Sequence, residues 1–216
     1  MTPLQKFNSL PEKQRQALLD KYRDYNTEHD EWWECVYETF KSDMEAVGVR
    51  VDKIRFSGFW SQGDGACFEG KVEDWPLFLT SIGHSDAALI YAAENFDWDF
   101  TCNHTHYMYS HHKSVSYGGE INLPDSVDDY YFADRYLEWG PEDIRTATMM
   151  TNLSRYAPMA VQEEFITVFE NYMLDLYKQL YEEYEHLTSD ETVLDSLEAN
   201  DRLEEAMEEI TEDNHA

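Results

Sequence analysis

Basic residues are scarce in this chain: 16 Lys and Arg stand against 45 Asp and Glu over 216 residues, for a formal net charge of -29. A surface that acidic repels phosphate backbones and anionic lipid, and it draws cationic partners in from a distance. Direct nucleic-acid binding is therefore not expected, nor is contact with a membrane. Cysteine is equally sparse. Cys35, Cys67 and Cys102 lie far apart without CxxC spacing, and three thiols do not make a disulfide framework, so a reducing cytoplasm is the expected compartment. No run approaches the 18 apolar residues of a spanning helix, and residues 1–9 lack the basic start and apolar stretch of a secretory signal. The Asn-x-Ser/Thr matches at Asn103 and Asn152 are then coincidental.

Motifs of well-defined chemistry are missing too. There is no HExxH zinc helix, no GxSxG elbow and no glycine-rich loop followed by GK[ST]. Asp125, Asp128, Asp129 and Asp134 are clustered, but without the spacing and glycine of a calcium loop they read as solvated loop. No cofactor is expected.

Core material, by contrast, is plentiful. The chain is 42% hydrophobic and 15% aromatic, with 15 Tyr, 11 Phe and 6 Trp, which excludes disorder of the low-hydrophobicity kind and suffices for one large or two small domains. Ser9 and Glu12 have capping-box spacing, which predicts a helix over about 12–25. Trp33, Val36, Phe40, Met44 and Val47 form one stripe of a second helix, which Gly48 ends in the left-handed conformation. Val49 and Val51 alternate, and Ile54 and Phe56 alternate in the opposite parity, so the first strand is expected to carry a bulge near Asp52 or Lys53. A second strand is expected over 66–72, and short helices over 74–82 and 85–95, the latter capped by Ser85. A strand over 98–110 and its partner over 114–121 follow, joined by a turn at His111, His112 and Lys113. Residues 123–139 read as irregular, and Gly140 and Pro141 as the start of a helix. The longest helical pattern covers 161–187, and Thr188 with Glu191 predicts the cap of a last helix or broken pair of helices. These elements specify an α+β fold with about four antiparallel strands from two hairpins, flanked by terminal helices. Residues 1–187 are expected as a single domain, and 188–216 as an acidic helical extension with a frayed tail whose removal leaves a folded body.

The least ordinary segment is FSGFWSQGDGACFEG, residues 56–70. Gly63 and Gly65 around Asp64 allow a tight connection, while Gly58 and Gly70 permit close approach of another backbone or ring. A hairpin turn with aromatic packing accounts for the pattern. Alternatively, Ser61, Gln62 and Asp64 present polar groups from a rigid loop to a ligand. Together with Tyr107, Met108, Tyr109, Ser110, His111 and His112, this segment resembles uncharacterised proteins of bacteriophages and mobile elements that share a similar hairpin. The likeness covers about residues 49–122. It implies a phage or mobile-element context and hands over no catalytic residue.

His104 and His106 alternate on one strand face with Cys102, an arrangement that can share a metal because period-2 geometry points both imidazoles the same way. The set is short of a third ligand unless the fold supplies His84, Asp97 or Asp99. Packing of histidines and aromatic rings across the sheet is the simpler account.

Residues 162–216 hold eighteen acidic residues against Lys178 and Arg202, more than half of the net charge. Glu182, Glu183, Glu198, Asp201, Glu204, Glu205, Glu208 and Glu209 lie among regularly spaced apolar residues, which predicts helices with one buried stripe and one negative face. A solvated face with a frayed tail is the plain reading. The shortage of neighbouring cations favours a second one, in which this face imitates the phosphates of nucleic acid and occupies a basic groove on a host nucleic-acid-binding or defence protein, without catalysis. The alternative is a small-molecule-binding or metal-dependent enzyme built on the hairpin loop with His104 and His106. An oligomeric assembly component is a third reading.

Overall fold

The computed structural model describes residues 1–29, 31–61, 63–104, 115–123, 153 and 155–213. In chain order the elements are α1 (Pro3–Ser9), α2 (Glu12–Lys21), α3 (Glu34–Ala46), β1 (Val49–Phe56), β2 (Ala66–Val72), α4 (Trp75–Ser81), α5 (Ala87–Asn95), β3 (Thr101–His104), β4 (Val115–Gly118), α6 (Pro158–Leu187), α7 (Asp190–Ala199) and α8 (Leu203–Asp213). The protein is α+β, with an antiparallel sheet in the order β1-β2-β3-β4 and helices before and after it in the sequence. The expected irregular stretch over 123–139 falls almost wholly outside the described residues, and the helix start at Gly140 and Pro141 and the distal parts of the second hairpin lie outside them as well.

By contacts the chain divides into two units, Met1–Val36 with Lys178–Ala216, and Tyr37–Tyr177. Both boundaries fall inside helices, α3 and α6.

The second unit is organised by the sheet. The register shift in β1 lies between Val51 and Lys53, where the change of hydrophobic parity placed it. Val49, Val51, Ile54 and Phe56 face Val72, Gly70, Phe68 and Ala66 across the ladder. One extra residue thus brings both apolar halves of β1 onto the same side of the sheet. That side meets a cluster of rings. Phe68 lies 5.4 Å from Phe40 of α3 and 5.7 Å from Phe169 of α6, while Phe100 lies 5.1 Å from Phe169 and Phe78 lies 5.2 Å from Phe165. All six phenylalanines are fully buried. Each contributes roughly 1.5–3 kcal/mol on burial, before the entropy of ordering the chain is subtracted. The Trp75 indole N–H donates to the Trp98 carbonyl at 3.0 Å, so the one polar atom of that ring is satisfied inside the core.

The first unit is helical. Phe7, Leu18 and Leu19 of α1 and α2 share a buried core with Val193 and Leu197 of α7 and with Leu203, Ala206, Met207 and Ile210 of α8. The helices expected as an extension beyond residue 187 therefore bury the same apolar surface as the N-terminal pair. The end of α6 is tied in by Asn26 Nδ2, which donates to the Leu187 carbonyl at 2.9 Å, and by Arg23, which donates to the Thr188 carbonyl at 3.1 Å.

Three expected caps are corrected. Ser9 is the last residue of α1, and its hydroxyl donates to the Lys6 carbonyl. The capping box belongs to Thr2 and Gln5 at the start of α1, and α2 begins after Pro11 with no side-chain cap. Asp86, not Ser85, caps α5 by accepting from the Ala88 amide. Ser189, not Thr188, caps α7, because the Thr188 hydroxyl is committed to the Tyr184 carbonyl. The Ser9 and Thr188 hydroxyls are used on carbonyls of the preceding helix, and at α5 the neighbouring Asp86 takes the amide.

Candidate functional site

The eight carboxylates singled out from the sequence all lie in the first unit. Glu204 and Glu205 occupy the first turn of α8, where negative charge opposes the positive end of the helix dipole favourably. Buried Leu203, Ala206, Met207 and Ile210 turn the opposite stripe of α8 inward, leaving Glu204, Glu205 and Glu208 exposed. Asp201 sits in the short joint between α7 and α8 at φ +56°, a left-handed conformation that Asp and Asn tolerate better than most residues.

Part of this face is neutralised by cations from the other end of the chain. Lys6 meets Glu204 at 2.5 Å, Lys21 meets Glu209 at 3.1 Å, and Arg23 meets Asp190 at 3.1 Å. Arg202 adds a local pair with Glu205 at 2.7 Å, and Lys178 one with Glu182 at 3.5 Å between largely exposed groups. Glu183 lies 3.9 Å from the Cys35 thiol. The Glu209 carboxyl is held below its ordinary value, first by the hydrogen bond from the Tyr22 hydroxyl and then by Lys21. Lys6, Lys21, Tyr22 and Arg23 were missed as partners in the sequence because they are far away along the chain.

The charge that is left is still one-sided. The first unit holds 21 acidic and 7 basic residues, five of the latter before residue 37, and the second unit holds 24 and 9, so each carries about half of the net charge. Among the described residues, Glu191, Asp195, Glu198, Asp201 and Glu208 stand on α7, α8 and the joint between them without a cation within ion-pairing distance. Glu198 is half-buried and the other four are exposed.

The hairpin between β1 and β2 is built around Asp64. One carboxylate oxygen, Oδ2, accepts from the Trp60 amide at 3.1 Å and from the Ser61 amide at 2.7 Å. The Asp64 amide donates back to the Ser61 carbonyl at 3.0 Å, and the Ser57 amide closes the loop on the Gly65 carbonyl at 3.1 Å. Gly58, just beyond β1 at φ +129°, leaves room for this carboxylate, since a Cβ there would stand 2.9 Å from Oδ2. Asp64 is thus occupied in shaping the turn. Ser61 is exposed, and Gln62 lies outside the described residues.

What the loop presents most prominently is Trp60, 71% exposed and not among the residues singled out from the sequence. Its ring rests at 5.4 Å on Phe59, which in turn lies 4.9 Å from Phe56 and 5.5 Å from Tyr177. The Tyr177 hydroxyl donates to the Phe59 carbonyl at 3.4 Å. The signal in the sequence was the FW pair between two turn-forming glycines.

His104 ends β3, half-buried and opposite Val115, and Cys102 is buried opposite Tyr117. His106 lies outside the described residues. Burial pushes the Cys102 thiol up to about 12 and the Cys67 thiol up to about 11, so both are poor nucleophiles and poor metal ligands at neutral pH. Among the described residues no three His, Cys, Asp or Glu side chains converge as a metal site. No helix among them is long and apolar enough to cross a membrane. A cleft of about 430 Å³ in the second unit mixes Lys41 and Arg50 with Glu45, Glu73 and Asp74, and Arg50 is already held by Asp52 and Glu73.

A family model, described as Domain of unknown function (DUF8835), matches residues 32–190. No curated protein and no solved structure matches the chain.

Proposed function

The chain belongs to the DUF8835 family, and we propose that it works by protein contact, presenting the carboxylates of α7 and α8 to a basic groove that ordinarily holds nucleic acid. On this reading it is a phage-type inhibitor or accessory protein directed at a host nucleic-acid-binding or defence protein, and it performs no reaction of its own. The observation that carries the proposal is the set Glu191, Asp195, Glu198, Asp201 and Glu208. These carboxylates remain without cationic partners on one helical pair even though Lys6, Lys21 and Arg23 are recruited to it. Like charges at this density cost stability unless something opposite meets them.

The alternative centred on the hairpin polar groups is the weaker one. Asp64 is engaged by two backbone amides, and the thiol nearest His104 on β3, Cys102, is buried and protonated.

The test is capture from host extract with tagged full-length protein at low salt, beside the variant Glu198→Gln/Asp201→Asn/Glu208→Gln. Captured species are then challenged with double-stranded DNA. The expected result is a basic protein retained by the wild type, lost by the variant and displaced by DNA. A partner held equally by both proteins and indifferent to DNA would remove the proposal.

A further inference from the structure

The cleft of about 430 Å³ in the second unit falls within the range of roughly 300–1,000 Å³ that small-molecule sites occupy. Its charged groups differ in what they already hold. Arg50 is committed to Asp52 and Glu73, and one Asp74 oxygen accepts the Leu77 amide at the start of α4. Lys41 and Glu45 are the exceptions. They stand one helical turn apart on α3, a spacing that commonly makes an ion pair, yet among the described residues neither has an oppositely charged group within ion-pairing distance. Both are exposed and both line the cleft. The wall beside them is apolar, with Leu77 40% exposed and Val51 half-buried. Val51 adds polar backbone. The Val72 amide donates to the Phe100 carbonyl at 3.1 Å, on the β3 side, so the β1 residues opposite Val72 and Gly70 turn their own amides and carbonyls away from β2. Val51 is opposite Gly70, on the outer strand of the sheet.

We propose that this cleft binds a free α-amino acid with an aliphatic side chain, its carboxylate on Lys41, its ammonium group on Glu45 and its side chain against Leu77 and Val51. An α-amino acid carries both charges on one carbon. Two long side chains whose Cβ atoms are about 5–6 Å apart can close on such a ligand from either end. A ligand with a single charge leaves one of the two unanswered, and a polyanion meets Glu45, Glu73 and Asp74 around the same opening. The assignment does not rest on the carboxylates of α7 and α8, and so stands apart from the reading of a basic protein partner.

The test uses the full chain labelled with 15N, following the amide resonances of Gly48, Val51 and Leu77 at low salt while L-leucine, leucinamide, N-acetyl-leucine and glycine are added in turn. Leucine is expected to move these resonances saturably, and glycine, which has no side chain to place on Leu77, to bind more weakly. The charges are then assigned by crossing variants with ligands. Lys41→Gln should weaken leucine about three- to fivefold, the size of one exposed ion pair, and leave leucinamide, which has no carboxylate, unchanged. Glu45→Gln should weaken leucine by a similar factor and leave N-acetyl-leucine, which has no ammonium group, unchanged. A general loss of structure in either variant would instead weaken every ligand alike. The proposal is overturned if leucine gives no saturable shift at these amides, if glycine binds as well as leucine, or if each variant loses the ligand that lacks the matching charge as much as it loses leucine.

Discussion

The Tyr22 hydroxyl donates to Glu209 Oε2 at 2.7 Å, joining α2 to α8 across 187 residues of chain. Lys21 meets the same carboxylate, so one helical turn of α2 both anchors α8 and offsets part of its charge.

This pair gives a pH signature. Glu209 is depressed below 4.5, so its contribution to stability is present above that value and is lost as pH falls through the folded one. Tyr22 is raised above 10.0, first by burial and then by Glu209, so its contribution is present below 10.0 and is lost as pH rises through the folded value. The difference in urea midpoint between wild type and Tyr22→Phe should be largest near neutral pH and shrink toward both pH 4 and pH 11. A difference that is constant across this range would show that the hydrogen bond does not link α2 to α8 in solution.

Truncation after Leu187 offers a second check. Removing α7 and α8 uncovers Phe7, Leu18 and Leu19, so the shortened chain should lose helical signal beyond that of the deleted residues and bind a dye specific for apolar surface. Within the intact chain, Leu197→Ala should cost about 2–5 kcal/mol in denaturant unfolding, as expected for a fully buried leucine. A truncated protein with undisturbed α1 and α2 would instead support the boundary expected from the sequence.

Thiol chemistry should separate the cysteines. Cys35 is exposed, whereas Cys67 and Cys102 are buried with thiols pushed up to about 11 and about 12. A thiol reagent at pH 7.5 is expected to label one site per native chain rapidly, and all three only after unfolding. Fast labelling of Cys102 in the native protein would contradict the packing of β3.

Asp64→Ala should release the Trp60 and Ser61 amides. Both amides are expected to exchange with solvent faster by hydrogen-exchange measurement, and global stability should fall by only about 1 kcal/mol, since water replaces the lost acceptor. Unchanged protection would mean that the carboxylate does not hold the loop.

Much of the fold was legible because local patterns encode it. The parity switch from Val49 and Val51 to Ile54 and Phe56 located the bulge, and the stripe containing Phe165, Phe169, Leu176 and Leu180 located most of α6. Caps were less legible, because Ser85 and Thr188 each have an adjacent rival that local spacing does not rank, and Ser9 is taken up by the end of α1. The charge balance of the candidate surface was least legible. Lys6 reaches Glu204 across 198 residues, a pairing decided by how α1 packs on α8 and by nothing local. Trp60 was visible as a residue, but nothing local in the sequence ranks its exposure above that of Phe59 beside it.

The central claim is that unneutralised carboxylates on α7 and α8 bind a basic protein, and its most direct test is the affinity of the captured partner as a function of salt. Between 0.05 and 0.5 M, where the screening length contracts to a few Å, the dissociation constant of the wild type should rise roughly tenfold or more. Glu198→Gln/Asp201→Asn/Glu208→Gln should bind more weakly at low salt and show a shallower dependence. An affinity unchanged by salt and by these substitutions would contradict the account.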